Sequence, residues 1–196
     1  MTTIEHQKQV ADKVLEQLYL ICPEAIVAGG APRDWYLGKP ANDIDVYFSS
    51  TTTTASKLIK QLEKCFDGMQ IKFEQQMGKN INPLYQTMEG LVRIIEFVLD
   101  GVKVQLIQMD TTKRLYSVVG NMSVSVCKVW YTNGKIAPTR DFLITLKSGV
   151  MFLSPKYNWN DPHPTKMAEM FKDKFTCGTQ DIAKERIITM SLREGE

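Results

Sequence analysis

Histidine is scarce in this 196-residue chain: it occurs at His6 and His163 alone, far apart and neither near a cysteine in sequence. The four cysteines, Cys22, Cys65, Cys127 and Cys177, form no Cys-x-x-Cys pair and lie dozens of residues apart. Such spacing argues against a structural zinc site and against a disulfide framework, and it predicts free thiols in a reducing compartment. No apolar run approaches the roughly 20 residues that cross a bilayer. The opening residues Thr2, Thr3, Glu5, His6, Gln7 and Lys8 are polar and lack a secretory pattern, so the expected location is cytoplasmic, with no membrane partner. A dominant charge is missing as well. The 24 Lys and Arg against 22 Asp and Glu leave +2, which is not the profile of a dedicated nucleic-acid binder. Lys166, Lys172, Lys174, Lys184 and Arg186 bias the C-terminal region towards basic, a pattern that reads as a solvated helix face. The sequence has no P-loop and no Gly-x-Gly-x-x-Gly fingerprint, no internal repeat and no flexible linker.

What is present is an ordinary globular composition, 43% hydrophobic and 23% charged, in a length that suits one domain or one domain with an appendage. Val10, Val14, Leu18 and Ile21 recur at helical spacing and predict a helix over 4–21, ended by Pro23. A short buried strand is expected over 25–28, a helix over 32–37 with Pro32 in its first turn, and a strand over 44–48. The threonines of 51–54 offer a cap for a helix through Phe66. Strands are expected over 69–73, 91–99 and 102–107, with a loop over 78–90 and a hairpin turn at Asp100-Gly101. A helix near 113–118 follows, then a strand marked by Val124, Val126 and Val129 that turns at Asn133-Gly134. Helices are expected over 139–146, closed by Gly149, and over 165–175 and 181–192. The order predicts an α+β fold: a mixed sheet with flanking helices over 1–135 and a helical C-terminal appendage over 136–196.

The chemistry concentrates in residues 28–48. Asp43 and Asp45 lie two apart on an expected strand, so both carboxylates project from one face. Ile44 and Val46 point the other way, into the core. Like charges held together are unfavourable unless a cation lies between them. Oxygen ligands of this kind suit Mg2+, and two such ions can clamp an in-line phosphoryl displacement. Gly29 and Gly30 sit between a strand and a helix start, where bare backbone N–H groups attract phosphate and glycine permits close approach. Arg33 can fork to a phosphate oxygen. Asp34 either holds Arg33 or braces the loop that carries Asp43.

The order Gly29-Gly30-Ala-Pro-Arg33-Asp34-Trp-Tyr-Leu-Gly38, followed by Asp43-Ile-Asp45, resembles the signature of the DNA polymerase beta superfamily of nucleotidyltransferases. It looks most like the head domain of class II CCA-adding enzymes and bacterial poly(A) polymerases, and the chain is similar in size to small stand-alone versions found in bacteriophages. The motif covers about 20 residues, and the element order extends the resemblance to about 110. The resemblance implies a nucleotidyltransferase (polymerase beta-like) that moves an NMP from a nucleoside triphosphate to an acceptor hydroxyl by a two-metal mechanism. Asp43 and Asp45 would bind Mg2+, Gly29 and Gly30 would approach the triphosphate, and Arg33 with Asp34 would support the site.

The family also carries a third acid on a later strand, at the general-base position. Here the strand over 102–107 has Gln105 instead. Glu96, Asp100 and Asp110 are the nearby substitutes. Glu96 has the inward strand context, whereas Asp100 reads as a turn residue and Asp110 as a helix cap. The chain carries no long helical neck, body and tail, so CCA synthesis is not expected. The acceptor is open: an RNA 3′ end such as that of tRNA, a small molecule or a protein hydroxyl. Gln105 motivates a second reading, a catalytically weak or inactive binder of nucleotide or partner protein in phage–host conflict. A third is a toxin-type transferase acting on tRNA ends. Trp130 and Tyr131 read as sheet residues, Trp159 as either a loop cover or a base platform, and the ten methionines as core filler.

Overall fold

Thr3 begins the structure as an N-cap, accepting a hydrogen bond from the backbone N–H of His6. The computed structural model describes residues 2–66, 70–76, 88–110, 112 and 114–193. Helix α1 (Ile4–Tyr19) buries Val10, Ala11, Val14, Leu15 and Leu18 along one stripe. There follow β1 (Ile26–Ala28), α2 (Gly30–Tyr36), β2 (Ile44–Ser49), α3 (Thr52–Cys65) and β3 (Gln70–Gln76). Next come β4 (Leu91–Leu99), β5 (Val102–Met109), α4 (Leu115–Gly120), a 3-10 turn (Ser125–Cys127), β6 (Val129–Thr132) and β7 (Lys135–Pro138). The chain continues through α5 (Arg140–Ser148), β8 (Val150–Phe152), α6 (Pro162–Phe171), β9 (Thr176–Gly178) and α7 (Gln180–Arg193).

Among the described residues, seven strands form one mixed sheet in the order β3-β4-β5-β2-β1-β6-β7. β2 and β5 run parallel, and the other neighbours in this sheet are antiparallel. The two hairpin turns form as expected. Asp100 and Gly101 have φ of 51° and 75°, and Asn133 and Gly134 have 48° and 73°, the paired positive values of a primed turn. Ile44, Val46 and Phe48 are fully buried on one face of β2. Each such side chain contributes about 1.5–3 kcal/mol by leaving water, so the strand that carries Asp45 is firmly seated.

Several expectations are revised. Residues 124–129 do not form one strand. Val124 makes an isolated bridge to Leu153, and the chain then turns through Ser125–Cys127 before β6 begins. A side-chain network explains the break: Ser125 Oγ shares a 2.6 Å hydrogen bond with Thr145 Oγ1 and accepts from the Phe152 N–H at 3.0 Å. The helix expected over 165–175 starts earlier, at Pro162, because a proline at the first position needs no backbone donor. The helix expected over 32–37 starts at Gly30. Of the loop expected over 78–90, residues 78–87 lie outside the described residues. The expected 135/136 boundary falls inside β7, and the segment beyond it holds strands as well as helices. β8 and β9 pair in parallel as a separate two-stranded sheet.

This C-terminal segment shares a second core with the 3-10 turn: Val124, Val126, Val129, Phe142, Met151, Met167, Phe171 and Phe175. Met122 and Ile136 pack against both this cluster and the main one, joining the two.

Candidate active site

Strand register places the acidic residues. Asp45 pairs with Gln105 on β5, and Gln105 pairs with Glu96 on β4, so the three form one row across the sheet. Asp43, Asp45 and Tyr47 open onto a cleft of about 490 Å3, as do Lys103 and Gln105. Gln105 Nε2 donates to Glu96 Oε2 at 2.8 Å. The Lys103 ammonium lies 3.0 Å from that same oxygen and 4.0 Å from Asp43 Oδ2. Glu96 is not itself part of the cleft lining; it stands behind Gln105 and Lys103. Lys103 is a site residue that the sequence reading passed over. Its place two residues before Gln105 on an alternating strand was the available signal.

The turn before α2 forms the next wall. Gly29 has φ of 84° and ψ of −120°, a conformation that only glycine adopts without strain. Its N–H is anchored to the Val129 carbonyl at 3.2 Å. Gly30, Arg33 and Asp34 line the cleft beside it. Arg33 does not present a free fork. Nε and Nη2 donate to the two Asp34 oxygens at 2.7 and 3.0 Å, and Nη1 points at the sulfurs of Cys127 and Met167 at 3.4 and 3.3 Å. The guanidinium also lies 5.0 Å from the Phe171 ring centre. Of the two roles considered for Asp34, the structure shows it holding Arg33, and Arg33 in turn pins α6 to α2.

The loop leading to Asp43 is fixed from the far side by Gln7, buried on α1. Its Oε1 accepts from Trp35 Nε1 and from the Ala41 N–H at 2.8 and 2.9 Å, while its Nε2 donates to the Ala41 carbonyl at 2.7 Å. Trp35 meets Tyr131 edge to face at 5.3 Å, and the Tyr131 hydroxyl donates to Asp12 at 2.9 Å. Sequence gave no sign of this brace, since a glutamine on a helix reads as solvated. Trp130 and Tyr131 are sheet residues as expected.

The roof of the cleft comes from later in the chain. α4 supplies Ser117 and Val118, the following turn supplies Asn121, Met122 and Ser123, and the loop before α6 supplies Lys156 and Tyr157. α6 contributes His163, Lys166, Met167 and Met170. Trp159 is not in this lining; it packs against the second core. Met88, Met109, Met122, Met167 and Met170 all line the cleft, so half of the ten methionines do more than fill a core.

Burial, reinforced by the Asp43 charge, pushes Asp45 up to about 7, with Lys103, Arg33 and Lys166 pulling the other way. Asp45 Oδ1 is sealed from solvent and has no hydrogen-bond partner. A buried, unsatisfied carboxylate oxygen beside a second carboxylate is a site short of positive charge, and hard oxygen donors of this kind fit a divalent cation such as Mg2+. Among the described residues, no cluster of three or more acidic, histidine or cysteine side chains could hold a metal, and Asp43 and Asp45 are the pair of carboxylates at the start of β2 in the cleft. Under the roof, His163 Nδ1 shares a 2.6 Å hydrogen bond with Ser123 Oγ. Burial, with help from Arg33 and Lys166, lowers His163 to about 4 and keeps it neutral.

The fold is the one shared by polymerase beta-like nucleotidyltransferases. A tRNA-processing enzyme in its apo form I matches with a TM-score of 0.63 at 16% identity, over 96% of this chain and 49% of its own. A tRNA nucleotidyltransferase solved with a primer tRNA and an incoming ATP analogue matches with a TM-score of 0.53 at 18% identity, over 87% and 48%. A CCA-adding enzyme with CTP gives 0.52 at 14%, over 87% and 40%. The chain thus spans about half the length of these proteins or less. No curated protein matches the sequence. The chain belongs to the Gabija anti-defense 2 family, whose model matches residues 4–148.

Proposed function

We propose that the protein is a metal-dependent nucleotidyltransferase that moves an NMP from a nucleoside triphosphate to an acceptor hydroxyl. The observation that carries this reading is Asp45 Oδ1, buried and without a partner, beside Asp43 in the cleft. Asp43 and Asp45 would hold Mg2+, which when bound supplies charge neutralisation at the α-phosphate. The chain's own residues do the rest. Gly29 and Gly30 let the triphosphate lie against the backbone, Lys166 and Lys156 face it from the roof, and the Gln7 brace holds the Asp43 loop in place. The acceptor oxygen bonds to the α-phosphorus, the bond to the β-phosphate breaks, pyrophosphate leaves, and the hydroxyl proton passes to a carboxylate of the cleft.

The test is incubation with α-labelled nucleoside triphosphates, Mg2+ and, in separate arms, total RNA, purified tRNA, protein extract and small metabolites. Label should move to one acceptor class with the wild type and to none with Asp43→Asn, while the two proteins melt alike. Unfolding of Asp43→Asn would make that residue structural instead.

A second reading is favoured by one observation: Gln105 fills the row position between Asp45 and Glu96, and Glu96 is engaged by Gln105 and Lys103. With no carboxylate at that position, general-base help worth roughly 10²- to 10⁴-fold is absent. The protein would then act by binding a nucleotide or a partner, in keeping with an anti-defence family. Triphosphate binding without label transfer to any acceptor selects this reading.

A further inference from the structure

The charge in the cleft floor does not resemble that of a site built for two divalent ions. Three carboxylates, Asp43, Asp45 and Glu96, are accompanied by an ammonium that belongs to the chain. Lys103 Nζ lies between the side chains of Asp43 and Glu96, at 4.0 and 3.0 Å from their oxygens. Its position follows from the sheet. Lys103 precedes Gln105 by two residues on β5 and so shares its face, and the parallel register that pairs Ile44 with Val104 brings Asp43 alongside. Glu96 holds the ammonium there, and Gln105 Nε2 steadies Glu96 by donating to the same oxygen at 2.8 Å. The arrangement is therefore built from three strands and is not a chance surface pair.

Resting on the transferase reading above, and departing from it in the number of ions, we infer that Lys103 is a built-in cation that replaces one of two divalent metals, so that the site takes a single Mg2+ on Asp43 and Asp45. The ion pairs support this: Lys103 neutralises Glu96 at 3.0 Å, which leaves the Asp43 and Asp45 pair for one divalent ion. The ammonium already stands 3.0 Å from Glu96 and 4.0 Å from Asp43, so it repels a second cation placed between those two carboxylates. Glu96 is accordingly a positioning residue that acts through Lys103. The buried and unpartnered oxygen is on Asp45, which takes no part in the lysine's ion pairs and is left as a ligand for the one ion.

The experiment counts Mn2+ bound to the full chain by equilibrium dialysis with a non-hydrolysable ATP analogue, checked by electron paramagnetic resonance. The expected result is one ion per protein for the wild type and for Lys103→Arg, and two for Lys103→Met, which keeps the aliphatic stem and removes the charge. Asp45→Asn should lose the ion in every background. Two ions on the wild type, or one ion still on a folded Lys103→Met, overturns the inference and leaves the transferase reading standing. No saturable Mn2+ on the wild type, or unchanged binding in Asp45→Asn, removes the metal-dependent reading itself, and the inference with it.

Discussion

Asparagine at position 45 should stabilise the metal-free protein at alkaline pH. In the folded chain the Asp45 carboxyl rises from an ordinary value of 3.8 to about 7, chiefly because it is buried and secondarily because Asp43 is close. The folded state then binds a proton that the unfolded state releases between those two values. Stability contributed by this group is complete below pH 3.8, falls as pH rises, and is fully lost above pH 7. A rise of that size corresponds to about 4 kcal/mol. Asp45 as a residue keeps partial contact with the cleft although its Oδ1 is sealed, so about half of that, roughly 2 kcal/mol, is the figure to expect after screening. Asparagine carries no charge to bury. For a protein of this size, roughly 2 kcal/mol is about 4–8 °C in melting temperature. The assay is thermal unfolding in EDTA at pH 5 and pH 8.5. The gap between Asp45→Asn and wild type should widen with pH and shrink again when Mg2+ is restored to the wild type. A variant less stable than wild type at pH 8.5, or a gap that ignores pH, would refute the reasoning.

Arg33→Lys should cost about 1.5–3 kcal/mol in urea unfolding, since lysine keeps the charge but cannot fork to Asp34 and leaves the Phe171 ring and the Met167 sulfur without their planar partner; a loss under about 0.5 kcal/mol counts against the pin. His163, held near 4 when folded, should make stability fall as pH drops from about 6.5 towards 4, by at most about 3 kcal/mol. His163→Gln should show a shallower pH slope over that window, and equal slopes would clear His163 of the effect. Gly29→Ala should cost about 1–3 kcal/mol through backbone strain alone. Its new Cβ would meet nothing nearer than Met122 Cε at 3.5 Å, so denaturation by urea isolates the conformational cost.

The floor of the site was legible in the sequence because strands obey a fixed period. Asp43-Ile-Asp45 could only present two carboxylates to one face once β2 was accepted, and Thr139 and Gly149 marked the ends of α5 by capping chemistry that acts within a few residues. The roof was not legible. His163, Lys166 and Tyr157 reach the cleft through a core assembled between distant segments, and nothing local in residues 156–170 signals that placement. Val124 and Val126 read as strand because both are apolar and β-branched, yet the hydroxyl of Ser125 between them captures a backbone N–H and bends the chain. Arg33 looked like a phosphate ligand from its neighbours in sequence, but its fork is filled by the very next residue, Asp34. Gln7 shows the opposite failure: a polar residue buried on a helix became the brace for a loop more than 30 positions away.

The five thioethers around the cleft give its two halves different mechanical character. The floor is strand backbone locked in register, and its geometry is set. The walls carrying Met88, Met122 and Met170 are unbranched side chains with soft, polarisable tips that change rotamer at little cost. A wall of this kind yields to occupants of different width, so steric fit is a poor filter here. Discrimination among occupants would fall instead to polar groups of the lining that impose direction, Asn42, Asn121, Tyr157 and Lys166.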